Sequence, residues 1–409
     1  MKEAPAGIYG TVGPNTRGRF DLQSGTEVTN TGKNGTTPIS TFHHSGVHMY
    51  NDQGYLALEA DGLVSGGNVG SGVSLNSPST LANDTKVPMG TYLSLEDCRI
   101  HQNGREGLWL RCGLEWANQP GHSEQAIVGG TWDNYDMSSG SLSFIDYGYE
   151  PFYQEAAIRS GQGKVNRCSI SNNGEHGVLL EIRGNSEPGS GNYAAIPVRF
   201  TNDFIWNNSK GEFYGDVETV GSPSGNGPYF LAPITHSTLV GPDNGNAYTF
   251  EVTESQAGST AYSRGEVQTL GGGKFLRARL YNSIFQRGPS GGAHDDFGTD
   301  ILGELVFDDP NVTLTVDKLG AAGMRMKHSV IVGADSYSID DVAPWIGPVV
   351  LSSFYPDQFY LQSSAVSGFK NSPPWLTVDI PSSELKFDYL NVQRPALLTE
   401  HDKGAKEIQ

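Results

Sequence analysis

Between residues 114 and 164 the sequence interleaves acids with aromatic rings. Asp133, Asp136, Asp146, Glu150 and Glu155 alternate with Trp116, Trp132, Tyr135, Phe144, Tyr147, Tyr149, Phe152 and Tyr153. Rings of this kind give a sugar a flat stacking platform, and carboxylates bond its hydroxyls or serve as acid and base. Hydrolysis of a glycosidic bond needs two carboxyl groups, about 5 Å apart for retention and up to ~9.5 Å for inversion. Asp133, Asp146 and Glu155 are the candidates for that pair, with Arg159 as an orienting cation. Trp116, Trp132, Tyr147 and Tyr149 would then hold the sugar. The same composition also describes a loop that packs its aromatics against the body of the protein, with solvated acids around it.

A second constellation suits different chemistry. A lyase or epimerase acting on uronic acids needs cations for the carboxylate and a base at the alpha proton. His176, Glu181 and Arg183 lie close together, and Arg105 and Arg111 occupy comparable places in an earlier segment, so outward offsets would put them on one face. Trp206 adds a ring ahead of a group of acids, Glu212, Asp216 and Glu218; a similar group is His294, Asp295, Asp296 and Asp300. Calcium prefers such oxygen-rich loops, but neither group has the Asp-x-Asp-x-Asp-Gly spacing of a dedicated loop. No cofactor is expected beyond a calcium ion in a structural or substrate-bridging role. Gly271-Gly272-Gly273-Lys274 lacks the context of a phosphate loop, and there is no Gly-x-Ser-x-Gly elbow or His-Glu-x-x-His pair.

The elements that must position these residues repeat. Asp97-Cys98-Arg99-Ile100-His101-Gln102-Asn103-Gly104-Arg105-Glu106-Gly107-Leu108-Trp109-Leu110 aligns without a gap to Arg167-Cys168-Ser169-Ile170-Ser171-Asn172-Asn173-Gly174-Glu175-His176-Gly177-Val178-Leu179-Leu180. Looser copies begin near Asn202, His236, Asn282, His328 and Leu351. Setting Cys98, Cys168, Ser237, Ser283, Ser329 and Ser352 in register gives spacings near multiples of about 23 residues, which reads as one coil of a parallel β-solenoid. Coils would stack at ~4.8 Å, with like residues in ladders along the axis. Ile100, Ile170 and Leu239 would face inward. Asn103 and Asn173 would sit at a left-handed turn and bond along the stack. On this unit Cys98 and Cys168 lie three coils apart, too far for a disulfide, and are expected as free, buried thiols.

The x-Cys-x-Ile-x-x-Asn-Gly-x-x-Gly-Leu/Val-x-Leu pattern resembles the right-handed parallel β-helix superfamily, which includes pectate-lyase-like enzymes and phage tailspikes. The resemblance covers about residues 91 to 365 and specifies a coil rather than a chemistry. It implies an all-β parallel β-helix with loop insertions and, if the chain is of the tailspike kind, a homotrimer.

Composition narrows the partners. The 409 residues include 53 glycines and carry a formal charge of −18, which disfavours a nonspecific grip on nucleic acid or anionic lipid. No apolar run is long enough for a membrane helix. Met1 to Gly7 contain no apolar core, so no secretory leader is expected there. Residues 1–90 read as irregular β structure or first coils, 91–369 as the β-helix and 370–409 as a C-terminal cap and tail. The expectation is a virion or extracellular tailspike-like protein that binds a polysaccharide and, if it is an enzyme, cleaves it as a glycosidase or lyase. Two alternatives stand beside it: a secreted bacterial polysaccharide lyase or epimerase, and a non-enzymatic decoration or adhesion rod.

Overall fold

The computed structural model describes residues 6–13, 16–32, 44–51, 55–77, 90–113, 126–127, 163–185, 194–220, 229–241, 246–254, 276–281, 283–287, 325–327, 330–332, 343–345 and 386–395. Among them there is no helix. The first coil supplies β1 (Ala6–Val12), β2 (Arg17–Leu22) and β3 (Glu27–Thr29), and the second β4 (Ser45–Asn51), β5 (Tyr55–Asp61) and β6 (Val64–Gly66). The third supplies β7 (Val73–Ser77), β8 (Gly90–Glu96) and β9 (Arg99–His101). The fourth supplies β10 (Leu108–Gly113), the two-residue β11 (Ala126–Ile127), β12 (Gly163–Asn166) and β13 (Ser169–Ser171). Next come β14 (His176–Asn185), β15 (Ala194–Thr201) and β16 (Phe204–Trp206), then β17 (Gly211–Val220), β18 (Tyr229–Thr235) and β19 (Thr238–Gly241). β20 (Asn246–Glu254), β21 (Leu276–Tyr281) and β22 (Ile284–Arg287) follow, with β23 (Arg325–Lys327), β24 (Val330–Val332) and β25 (Ala343–Trp345) last.

Each strand pairs in parallel with its counterpart one coil away, giving three sheets. Their orders are β1-β4-β7-β10-β14-β17-β20, β2-β5-β8-β12-β15-β18-β21-β23 and β3-β6-β9-β13-β16-β19-β22-β24-β25. The chain is thus a parallel β-helix, and its core is the space between the sheets. Alternation along each strand fills that space with columns of apolar residues. Val47, Val73, Leu108, Val178 and Phe213 form one column, and Leu95, Val165, Phe200 and Ile234 another. A third contains Ile100, Ile170, Ile205 and Leu239. All are buried, and each such side chain contributes about 1.5–3 kcal/mol by leaving water.

The register corrects the expected unit. Successive coils are offset by 35 residues at Asn68 and Asn103 and again at Asn173 and Asn208, and by 34 at Asp203 and Ser237. The offset of 70 between Asn103 and Asn173 is a single coil carrying an insertion. Ser169 pairs with Arg99 and Ile170 with Ile100, so Cys98 and Cys168 lie on neighbouring coils rather than three apart. Both are free and buried, as expected.

Among the described residues, two corners of successive coils turn on one left-handed residue. Between the second and third sheets they include Gly62, Asp97, Arg167, Asn202 and His236, with φ from 49° to 68° in these five. Between the third and first sheets they include Gly67, Gln102, Asn172 and Asn207. The left-handed residue is therefore the one before Asn103 and Asn173. Those asparagines instead turn inward and build a ladder. Nδ2 of Asn68 donates to Oδ1 of Asn103 at 2.8 Å, Asn103 to Asn173 at 2.9 Å, and Asn173 to Asn208 at 2.7 Å. Each Oδ1 also accepts the backbone N–H of the asparagine one coil earlier. The column ends on a carboxyl: Glu212 accepts both the N–H and the Nδ2 of Asn208.

The other corner has a ladder of its own, and it explains the recurring cysteine. The Cys98 thiol accepts the N–H of Leu63, and the Cys168 thiol that of Cys98. Asp203 Oδ1 accepts the N–H of Cys168 at 2.8 Å, Ser237 Oγ that of Asp203 at 3.2 Å, and Ser283 Oγ that of Ser237 at 3.2 Å. A small side chain that can accept one hydrogen bond is all the position requires.

Asp203 is fully buried, and desolvation pushes its carboxyl well above the usual range despite that bond. A raised folded-state value means that the native state keeps a proton the unfolded chain releases. Its contribution is complete below the ordinary carboxyl range and is lost as pH rises through the folded value. The unfolding free energy of the protein minus that of its Asp203→Asn variant is therefore expected to increase as pH falls from 7 to 5. Urea titrations at three pH values measure this, and a flat difference would contradict it.

Residues 386–395 return to the side of the stack. Phe387 and Gln393 bridge across a turn held by Asp388, whose Oδ1 accepts the N–H of Val392 at 2.7 Å. Tyr389 meets Phe204 edge to face at 4.8 Å, and Arg394 donates to Asn202 Oδ1 at 3.0 Å.

Candidate functional site

The outer side of the first sheet gathers polar and aromatic groups from successive coils. Arg105, Glu175 and Lys210 take the same corner position in three coils, linked by backbone bonds from Glu175 N–H to Arg105 O and from Lys210 N–H to Glu175 O. Glu175 Oε2 lies 3.7 Å from Arg105 Nη2 and 3.1 Å from Lys210 Nζ. The Arg105 guanidinium sits 5.1 Å from the Trp109 ring centroid, and Trp109 Nε1 donates to Glu181 Oε2 at 2.6 Å. Arg111 is the register partner of Glu181 and brings Nε to 3.8 Å of the same oxygen. His176 stacks on Tyr214 at 4.9 Å.

Beneath this strip lies Glu106, fully buried. It accepts from Ser71 Oγ at 2.7 Å and from Arg105 Nη2 at 3.2 Å, and shares a hydrogen bond with Glu175. Burial pushes Glu106 above the usual carboxylate range. Burial also acts on Glu175, but the bond from Glu106 together with Lys210 and Arg105 outweighs it and holds Glu175 below that range. The two carboxyls are thus pushed apart, Glu106 up and Glu175 down, as in acid/base pairs whose environments separate them. Glu106 is enclosed and cannot touch a ligand, so its effect is to fix and charge-balance Glu175. His176 is pushed down to about 4, chiefly by burial with help from Lys210, so at neutral pH its imidazole is uncharged. The strip therefore combines three cations, two exposed-side acids and a neutral imidazole over a floor of Trp109 and Leu179, both nearly buried.

The sequence-predicted residues distribute as follows. His176 and Glu181 belong to this strip with Arg105 and Arg111. Arg183 is in the same strand, in register with Gly113 and Glu218. Trp206 is buried in β16 on the third sheet, away from the strip. Asp133, Asp146, Glu155, Arg159, Trp116, Trp132, Tyr147 and Tyr149 lie outside the described residues, as do His294, Asp295, Asp296 and Asp300. Glu212 faces inward as the end of the asparagine ladder, and Asp216 and Glu218 follow it in β17. Glu106, Glu175, Lys210, Trp109 and Tyr214 were not singled out from sequence. The signal was present, since aligning the two clean repeats puts Arg105 and Glu175 at one offset with opposite charge.

A second charge cluster serves a different purpose. Arg167 holds Asp97 through two bonds, Nε to Oδ1 at 2.8 Å and Nη2 to Oδ2 at 2.7 Å, and reaches Glu96 Oε1 at 2.8 Å. Lys164 Nζ holds the other Glu96 oxygen at 2.6 Å. Burial would raise Glu96, but Lys164 and Arg167 outweigh it and keep the carboxyl below its ordinary value. These contacts tie the third coil to the fourth, the one that carries the long insertion, just after that insertion ends.

Comparison with family models, with curated proteins and with solved structures returned no match.

Proposed function

We propose that this β-helix binds a polysaccharide along the outer side of its first sheet, as a tailspike-like protein of a virion or cell surface. The observation that carries the reading is the continuous strip formed by Arg105, Trp109, Arg111, Glu175, Glu181 and Lys210 across neighbouring coils. Equivalent positions recur at ~4.8 Å along the axis, close to the advance of one sugar ring in an extended chain. Successive rings would then meet alternating donors and acceptors suited to hydroxyls. The superfamily resemblance of the repeats supports the same reading and adds a homotrimer.

A second reading, a lyase or epimerase acting on uronates, draws on one specific feature. An uncharged His176 near Arg105 and Lys210 combines a base with cations that would hold a substrate carboxylate.

Binding to a panel of neutral and uronate-containing polysaccharides, followed by calorimetry, tests both. The double variant Arg111→Ala with Lys210→Ala is expected to weaken binding at least tenfold while leaving the circular dichroism spectrum unchanged. Release of reducing ends would mark hydrolysis, and unsaturated uronates would mark the lyase. No binding by the unmodified protein, or equal binding by the variant, would overturn the assignment of the strip.

A further inference from the structure

The corner ladder places two free thiols one coil apart with a carboxyl on the next coil, and nothing in the proposed sugar-binding strip uses them. Arg99 and Ser169, the residues immediately after Cys98 and Cys168, are register partners. The two Cα atoms therefore lie near the inter-strand spacing of ~4.8 Å, inside the span of roughly 4.4–6.8 Å that a disulfide bridges. The thiols already share a hydrogen bond. Asp203 is anchored beside Cys168 through the Cys168 N–H on Oδ1, and its buried Oδ2 has no hydrogen-bond partner among the described residues. Cys112 stands apart, in β10 on the first sheet, in register with Ser77 and Ile182.

We propose that Cys98 and Cys168 form a dithiol site that closes reversibly to an inter-coil disulfide when it meets a small-molecule disulfide. Cys98 is the first nucleophile, since its bond from Cys168 stabilises the thiolate, whereas burial holds the Cys168 thiol up. Its sulfur attacks the reagent disulfide, forming a mixed disulfide and expelling one thiolate, which takes up the proton Cys98 released. The opening that admits the reagent also hydrates Asp203, which then gives its own proton to water, and its Oδ2 accepts the Cys168 proton. The Cys168 sulfur attacks Cys98 Sγ and expels the second thiolate, and the proton passes to it. Two S–H bonds and one reagent S–S bond break, one protein S–S bond and two reagent S–H bonds form, and two electrons move from the protein to the reagent. Both thiols are buried, so the reaction runs through opening of this corner.

The test uses the full chain carrying Cys112→Ser. After incubation with hydroxyethyl disulfide, quenching, denaturation and alkylation, the expected product has no alkylated cysteine, a mass lower by two hydrogens and a cross-linked peptide joining Cys98 to Cys168. Its urea midpoint should rise and return on treatment with dithiothreitol. Asp203→Asn is expected to slow ring closure roughly 100-fold without changing the order of events. Asp203→Ser, which copies the acceptor found one coil later at Ser237, provides the same comparison if the asparagine variant folds poorly. Cysteines that remain fully alkylatable, or a mixed disulfide that persists on Cys98 without closing, would overturn the dithiol site. Closure at an unchanged rate in both Asp203 variants would remove the carboxyl from it.

Discussion

Asn173→Ala is expected to lower the unfolding free energy by about 4 kcal/mol, a large share of the ~5–15 kcal/mol that holds an ordinary domain together. Asn173 is the middle of the asparagine ladder. Its Oδ1 accepts from Asn103 N–H at 3.1 Å and from Asn103 Nδ2 at 2.9 Å, and its own Nδ2 donates to Asn208 Oδ1 at 2.7 Å. Truncation strands two buried donors and deprives one buried acceptor, each costing about 1–3 kcal/mol. Equilibrium unfolding in urea measures the loss. Asn173→Asp separates the parts: it restores the acceptor for Asn103 but turns a carboxylate oxygen toward Asn208 Oδ1, so it is expected to recover only part of the stability. A loss below about 1 kcal/mol for the alanine variant would mean that the ladder contributes little.

Gly107→Ala is expected to cost about 3 kcal/mol or more, at the upper end of overpacking effects. The reason is proximity rather than backbone angle. A methyl group there would collide with Ile170 Cγ2 and stand 2.7 Å from both Asn173 Nδ2 and the Gly177 carbonyl oxygen. None of the three can retreat easily. Ile170 is a core rung, Asn173 is held by the ladder, and Gly177 lies in β14, paired on both sides; Gly107 itself is fixed by its N–H to His176 O at 3.0 Å and its carbonyl to Val73 N–H at 2.9 Å. Gly72 and Gly177 have equivalent surroundings, so alanine at either is expected to behave alike. Thermal unfolding of the three variants checks this; a shift of less than a degree at Gly107 would show that the corner has room.

The fold was readable because its two cleanest repeats encode the same three environments: an accepting side chain at one corner, an isoleucine in the core and an asparagine at the other corner. Cys98, Ile100 and Asn103 match Cys168, Ile170 and Asn173, and the structure stacks each pair directly. The period was misread because spacing in sequence does not distinguish several short coils from one coil with a loop. Residues between Gly113 and Gly163 lengthen a single coil, so an offset of 70 looked like three units. The candidate site was legible only in part. Arg105, Arg111, His176 and Glu181 could be put on one face from their outward offsets, yet Glu106, which aligns with His176, turns out to be enclosed, because a corner breaks the two-residue period. Trp109 hid as an apparent core residue, and it takes the register with Glu181 to show its indole nitrogen in use.

The docking of Arg394 on Asn202 has a consequence for biosynthesis. A ribosome must add 192 further positions after Asn202 before its partner exists. During that interval the wall around Phe204 is wound but uncovered, offering an aromatic and an amide to whatever is nearby. The C-terminal turn thus acts as a late fastener, and a nascent chain shortened before it would leave the tunnel with a ready-made contact for other chains.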